Sequence, residues 1–226
     1  MTTLFLTRAR LRRDAPVAAL ARQLVPSEPG TRTLAAHRLI WALFADGPDR
    51  ARDFLWREEA PGRFLALSSR PPAKLDDLFE LDTKDFAPAL AVGDQLGFSL
   101  RANPVVARVA TKGERGKRHD VVFDALRHLP PADRAGQRLA VVAQAGRAWL
   151  IRQGAVHGFG VDGDTAVDGY QRERIPRDGA RDIVFGRMDM TGRLIVQDPT
   201  CFLAGLAAGF GRSRAFGCGL MLIRRA

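Results

Sequence analysis

Cysteine, tyrosine and long apolar runs are all scarce in this chain. The only cysteines are Cys201 and Cys218, without CxxC spacing and without a neighbouring histidine pair. No zinc site follows from such a pattern, and both are expected to be buried free thiols. No stretch approaches the roughly 18 consecutive apolar residues of a membrane-spanning helix. The opening Met1–Arg8 is too short and too soon charged for a secretory signal, so a cytoplasmic protein is expected. Convergent carboxylates are missing too. Asp76-Asp77 and the Asp162/Asp164 pair read as a helix surface and a turn, so no metal ion and no cofactor is expected. A G-x-x-x-x-G-K-[ST] phosphate loop is absent, which argues against a nucleotide-dependent enzyme.

Basic charge is abundant. Thirty-five Lys and Arg face 25 Asp and Glu, for a net charge of +10 and a pI near 10.9. Such a balance points to a polyanionic partner, nucleic acid above all. Apolar content of 46% and charged content of 27% are ordinary for a soluble globular protein. The 226 residues suffice for one domain or two small ones.

The order of elements is legible from periodicity. Thr3–Arg10 alternates as a strand, and Ala15–Leu24 fits a short helix. Thr31–Phe44 is predicted as a longer helix, capped by Thr31 or Thr33, with Ala36, Leu39, Ile40, Leu43 and Phe44 on one apolar face. Asp53–Glu58 and Arg63–Ser68 read as a hairpin turned at Ala60-Pro-Gly62. Ala73–Leu81 looks like a short helix, and Asp82–Pro88 like a weak edge strand. Strand, helix, hairpin, helix, strand is the βαββαβ order of a ferredoxin-like domain.

The pattern then recurs. Asp94–Ala102 is a strand, Thr111–Arg118 a basic excursion, and Arg134–Gln153 a helix whose apolar side includes Leu139, Val142, Ala143, Ala145, Ala148 and Trp149. Val156–Arg172 and Arg181–Val196 read as strands. Cys201–Ala208 is a helix capped by Asp198 or Thr200, and Phe216–Ile223 is a closing strand. The expected class is α+β, with tandem ferredoxin-like (RRM-like) domains over residues 1–90 and 91–226.

Between the last helix and the last strand lies Gly209-Phe-Gly-Arg-Ser-Arg-Ala-Phe-Gly-Cys-Gly219. Gly209, Gly211, Gly217 and Gly219 permit close backbone approach and positive φ. Turned N–H groups and the forks of Arg212 and Arg214 suit phosphate. A dinucleotide fingerprint would place such a loop after a strand and before a helix, the reverse of the order here.

Four tracts carry a family likeness together. They are His37–Phe44 with Pro48–Leu55, then Phe98-Ser-Leu-Arg-Ala-Asn-Pro104, then Gly116-Lys-Arg-His-Asp-Val121, and last the glycine-rich loop with its terminal strand. With these tracts in this order, the chain resembles the CasE family of CRISPR-associated endoribonucleases, the repeat-RNA processing subunits of type I-E systems. The resemblance implies tandem ferredoxin-like domains and metal-free cleavage of precursor CRISPR RNA at the 3′ base of each repeat hairpin. It also implies retention of the hairpin product as mature crRNA and assembly with the other Cascade subunits, from a free form that is a monomer without membrane attachment.

Metal-free RNA cleavage uses the 2′-hydroxyl against the adjacent phosphate, and a histidine can move the protons. The resemblance places the catalytic histidine at His37. His119 sits in the basic tract, where a phosphate contact is the simpler role, while His128 and His157 look like ordinary loop or strand residues. Many family members carry a tyrosine one helical turn before the histidine. Here that position is Leu34, and the only tyrosine is Tyr170. The partner of His37, and whether it acts as acid, base or both, stay open at this point.

Candidate RNA contacts are Lys112, Arg115, Lys117 and Arg118 in the excursion, Arg212 and Arg214 in the glycine-rich loop, and Arg138 on the long helix. The alternative reading is a catalytically inactive RNA-hairpin-binding module of the same fold.

Overall fold

The structure is a computed structural model that describes residues 3–47, 50–108, 116–163 and 165–225. The N-terminal part runs β1 (Leu4–Leu11), α1 (Ala15–Ala19), α2 (Ala21–Leu24), α3 (Pro29–Ala42), β2 (Phe54–Ala60), β3 (Arg63–Ser68) and β4 (Phe79–Phe86). Its antiparallel sheet has the order β2-β3-β1-β4, as in a ferredoxin-like domain. β1 is central, pairing Thr7 with Ala66 on one side and with Thr83 on the other.

Two expectations fail in detail here. Ala15–Leu24 is two short helices divided at Leu20, not one. No helix forms over Ala73–Leu81. Leu75 and Leu78 lie against the core across a turn, and the chain enters β4 at Phe79. The expected helix loses to eight residues of pairing along β1 and to Phe79, only 1% exposed in the core.

α3 forms where expected but begins earlier. Pro29 pre-sets the first turn, and the Glu28 carboxylate accepts from the Gly30 and Thr31 N–H groups at 3.2 and 2.7 Å. Glu28 is therefore the cap, not Thr31 or Thr33. The expected face of Ala36, Leu39, Ile40, Leu43 and Phe44 is buried against Phe54, Trp56, Phe64 and Phe79.

The C-terminal part opens with β5 (Gln95–Ala102), followed by the two-stranded ribbon β6 (Val105–Arg108) and β7 (Lys117–Asp120). Then come α4 (Val121–Leu126), α5 (Arg134–His157), β8 (Phe159–Val161), β9 (Ala166–Ile175), β10 (Ile183–Val196), α6 (Pro199–Ala208) and β11 (Met221–Arg225). The sheet order β11-β5-β10-β8 repeats the ferredoxin-like arrangement, with β9 added along β10. α4 had no counterpart in the sequence reading.

α5 runs four residues beyond Gln153 and stops at Gly158, whose φ of 73° closes the end. Its expected apolar side is only partly a core side. Val142 and Trp149 are buried, whereas Ala143 is exposed and Leu139 is 85% exposed, in the first turns of α5, where residues 134–140 are all exposed. Asp198 caps α6 by accepting from the Cys201 N–H at 2.9 Å.

The two sheets meet through Leu55, Leu65 and Leu67 on one side and Leu220 with Leu222 on the other. Polar groups fix the same junction. Arg57 donates to Ser99 Oγ at 3.0 Å, and Arg101 donates to the Glu58 carbonyl at 3.0 Å while gripping Asp189 with both arms. No helix among the described residues is long and apolar enough to cross a membrane.

Candidate active site and nucleic-acid interface

His37 sits on the flank of the buried α3 stripe, half-exposed, between Ala36 and the core positions Leu39 and Ile40. Its Nδ1–H donates to the Ala215 carbonyl at 2.8 Å. A carbonyl oxygen only accepts, so Nδ1 carries the hydrogen and, in the neutral ring, Nε2 keeps its lone pair. The indole Nε1–H of Trp56 donates to the same carbonyl at 3.2 Å. Trp41 and Phe216 flank the imidazole, with ring centroids 6.0 and 5.6 Å away. Burial pushes the His37 pKa down. The Ala215 hydrogen bond opposes that, and the nearby charges of Arg52 and Arg38 add to the lowering.

Ala215 is at the centre of a 3-10 turn, Arg214–Phe216, inside the glycine-rich loop. Ser213 (φ 53°) and Gly217 (φ 76°) bracket the turn in left-handed conformation. The four loop glycines all have positive φ, between 76° and 96°. Gly211 is tightly constrained, since a Cβ there would sit 2.8 Å from the backbone carbonyl oxygen of Asn103.

The end of β5 holds the loop. The Arg212 N–H donates to the Asn103 carbonyl at 3.2 Å, and the Gly219 N–H to the Arg101 carbonyl at 2.7 Å. Buried Asn103 donates from Nδ2 to Ser213 Oγ at 2.7 Å. The tracts around His37, Phe98–Pro104 and Gly209–Gly219 thus form one structural unit.

The other expected residues fall elsewhere. Lys117 and Arg118 are exposed on β7, paired with Arg108 and Ala107. Arg138 is exposed on α5, its guanidinium 5.6 Å from the centre of the Tyr170 ring. Lys112 and Arg115 lie outside the described residues. Arg212 is exposed and Arg214 half-buried. Burial lowers the pKa of Arg214, and the charge of Arg212 lowers it further. The structure therefore joins Arg212 and Arg214 to His37 through the glycine-rich loop, whereas Lys117 and Arg118 lie on β7 and Arg138 on α5.

His119 is half-buried on β7 and His128 is exposed after α4. Leu34, one turn before His37, packs with Ile175, Phe185, Cys218 and Phe216. Tyr170 is half-buried on β9, its hydroxyl pushed upward in pKa by burial and by Asp120. Cys218 is fully buried, its thiol pushed up to about 12, whereas Cys201 is only partly buried. Among the described residues, no group of three or more His, Cys, Asp or Glu is placed to hold a metal ion.

From sequence, Trp56, Ala215, Asn103 and Arg52 carry no assigned role, and His157 reads as an ordinary loop or strand residue. The first three act through contacts more than 100 residues distant in sequence. Asn103 and Ala215 lie within tracts already singled out, although nothing in either tract names the partner. His157 is the last residue of α5, set edge-to-face against Phe210 at 5.2 Å. That contact with Phe210 places it beside the loop, and burial and the charge of Arg214 lower its pKa.

Residues 4–225 match the family described as CRISPR associated protein. The CRISPR system Cascade subunit CasE of Escherichia coli (strain K12) is 26% identical over 193 residues, 82% of this chain and 88% of that protein. A solved structure of the CRISPR endoribonuclease Cse3 bound to a 19-nucleotide RNA superposes with a TM-score of 0.72 at 25% identity, over 99% of both chains. Thermus thermophilus Cse3 bound to an RNA representing a pre-cleavage complex gives a TM-score of 0.70 at 25% identity, over 98% of this chain and 99% of that one. The chain belongs to the CRISPR-associated protein family, as a relative of CasE and Cse3.

Proposed function

We propose that the chain is a metal-independent endoribonuclease that binds CRISPR repeat hairpins and cuts precursor CRISPR RNA at the 3′ base of the hairpin. The likeness to Cse3 chains bound to RNA, over nearly the whole length of both, supports the substrate. The likeness to a Cascade subunit supports retention of the product and assembly with other Cascade subunits. Residues 1–90 and 91–226 serve as two ferredoxin-like units in a protein that is monomeric when free and cytoplasmic.

The observation that carries the catalytic reading is the hydrogen bond from His37 Nδ1 to Ala215. It leaves Nε2 as the nitrogen that exchanges a proton with RNA. With its pKa lowered, His37 is neutral near pH 7, and Nε2 takes the proton from the 2′-hydroxyl. The 2′-oxygen bonds to the adjacent phosphorus, the bond from phosphorus to the 5′-oxygen breaks, and the proton held on Nε2 passes to that 5′-oxygen, which returns the imidazole to its neutral form. The products are a 2′,3′-cyclic phosphate and a 5′-hydroxyl, so no water is consumed. Arg212 and Arg214 bind phosphate beside the histidine, and Lys117, Arg118 and Arg138 also bind the RNA, with Lys112 and Arg115 given the same role from sequence.

Cleavage of repeat RNA in excess chelator tests this, with analysis of the product ends. A cyclic phosphate and a 5′-hydroxyl are expected. Binding without cleavage would establish the inactive hairpin-binding module instead, and loss of cleavage on chelation would establish a metal nuclease.

A further inference from the structure

A cleft of about 440 Å³ opens beside the glycine-rich loop. Arg52, Asp53 and Arg214 line it, between Leu55 of the first sheet and Ala208 at the end of α6. Its charges divide in a specific way. The Asp53 carboxylate is engaged by Arg50 at 2.9 Å and by Arg70 at 2.8 Å. Arg52 and Arg214 have no carboxylate within ion-pair distance among the described residues.

Two guanidiniums face one cleft. Burial lowers the preference of Arg52 for charge, and the charge of Arg214 lowers it further. Like charges brought together without a counter-ion leave a site that an anion completes. Arg214 directly precedes Ala215, the residue bonded to His37. Arg52 directly precedes Asp53 and β2, whose Trp56 donates to that same Ala215 carbonyl. Both cations are therefore tied by short chain segments to the groups that orient the imidazole. Leu34, on the same helix one turn earlier, is packed among apolar side chains and offers no donor.

We propose that Arg52 is a further catalytic residue, which with Arg214 contacts the non-bridging oxygens of the phosphate being cut, the adjoining cleft receiving the nucleotide beside it. Negative charge builds on those oxygens as the 2′-oxygen adds, and a fixed guanidinium fork stabilises it more in the transition state than in the bound RNA. The role rests on the proposed ribonuclease reading.

Single-turnover cleavage at saturating enzyme, which removes affinity from the rate, tests the role. Arg52→Ala is expected to slow cleavage by about 10²-fold. Arg52→Lys, which keeps charge but loses the fork, is expected to recover only part of the loss. Added guanidinium ion is expected to raise the Arg52→Ala rate and not the wild-type rate. The midpoint of thermal unfolding serves as the folding check, and it should stay near wild type because Arg52 makes no described ion pair. A wild-type enzyme that cuts alongside an Arg52→Ala variant of similar rate would overturn the role of Arg52 alone. A wild-type enzyme that does not cut repeat RNA would instead overturn the ribonuclease reading.

Discussion

His37 and Ala215 are 178 residues apart in sequence and joined by a 2.8 Å hydrogen bond. The second donor to that carbonyl, Trp56, ties the arrangement to β2. Trp56→Phe keeps an aromatic ring against Phe64 and deletes the donor. Losing one such hydrogen bond costs about 1 kcal/mol, or roughly fivefold. The expected result is a cleavage rate about fivefold lower at saturating enzyme with unchanged RNA affinity, read from single-turnover kinetics and a binding titration.

The strain in the loop has its own consequence. Gly217 is left-handed at φ 76°, and a Cβ there would lie 3.4 Å from the Trp56 ring. Gly217→Ala is expected to destabilise the fold by about 1–2 kcal/mol through the left-handed backbone. It should also move the carbonyl of Ala215 off His37. Denaturant unfolding reports the first effect. The second appears as a slower cut on RNA that still binds.

The lowered histidines set a pH dependence. His37 and His157 both titrate below the ordinary histidine value of 6.5 in the folded chain. The unfolded chain therefore takes up protons first as pH falls, and stability drops as pH passes below 6.5. The unfolding midpoint should fall between about pH 7.5 and about pH 5.5, and less so in His157→Gln. With neutral His37 as the base, kcat/KM for RNA should rise with pH through a value below 6.5 and then level.

Phosphate binding by the loop predicts steep salt sensitivity. Each contact contributes a slope of roughly −0.7 to −0.9 in log K against log salt. Arg212→Ala and Arg214→Ala should each flatten the slope by about that amount. A slope equal to wild type in both would remove the loop from the RNA interface.

Much of this fold could be read from local pattern. The apolar stripe of α3 and the hairpin of β2 and β3 follow period and turn residues directly. The helix expected over Ala73–Leu81 failed because Leu75 and Leu78 serve the core from a turn, while pairing with β1 decides the fate of Phe79 and Leu81. α5 was legible as a helix but not in its burial, since Leu139, expected on the apolar side, lies in a stretch over residues 134–140 that is exposed throughout. The site was half legible. Arg212 and Arg214 stand out by residue type and His37 through the family resemblance, but their union depends on Asn103, Ala215 and Trp56, whose contacts are backbone carbonyls and long-range donors. The sequence reading assigned the loop to grip and His37 to cut; in the structure the loop also holds the histidine.

The central claim is that His37 moves the proton of a 2′-hydroxyl nucleophile. Its most direct test is single-turnover cleavage of repeat RNA by wild type and His37→Ala, each with an intact and a 2′-deoxy scissile nucleotide. The account predicts a loss of about 10²–10⁴-fold for His37→Ala on intact RNA. It also predicts no cleavage of the 2′-deoxy substrate by either protein, with binding retained throughout. Cleavage of the 2′-deoxy RNA, or an unchanged rate in His37→Ala, would contradict it.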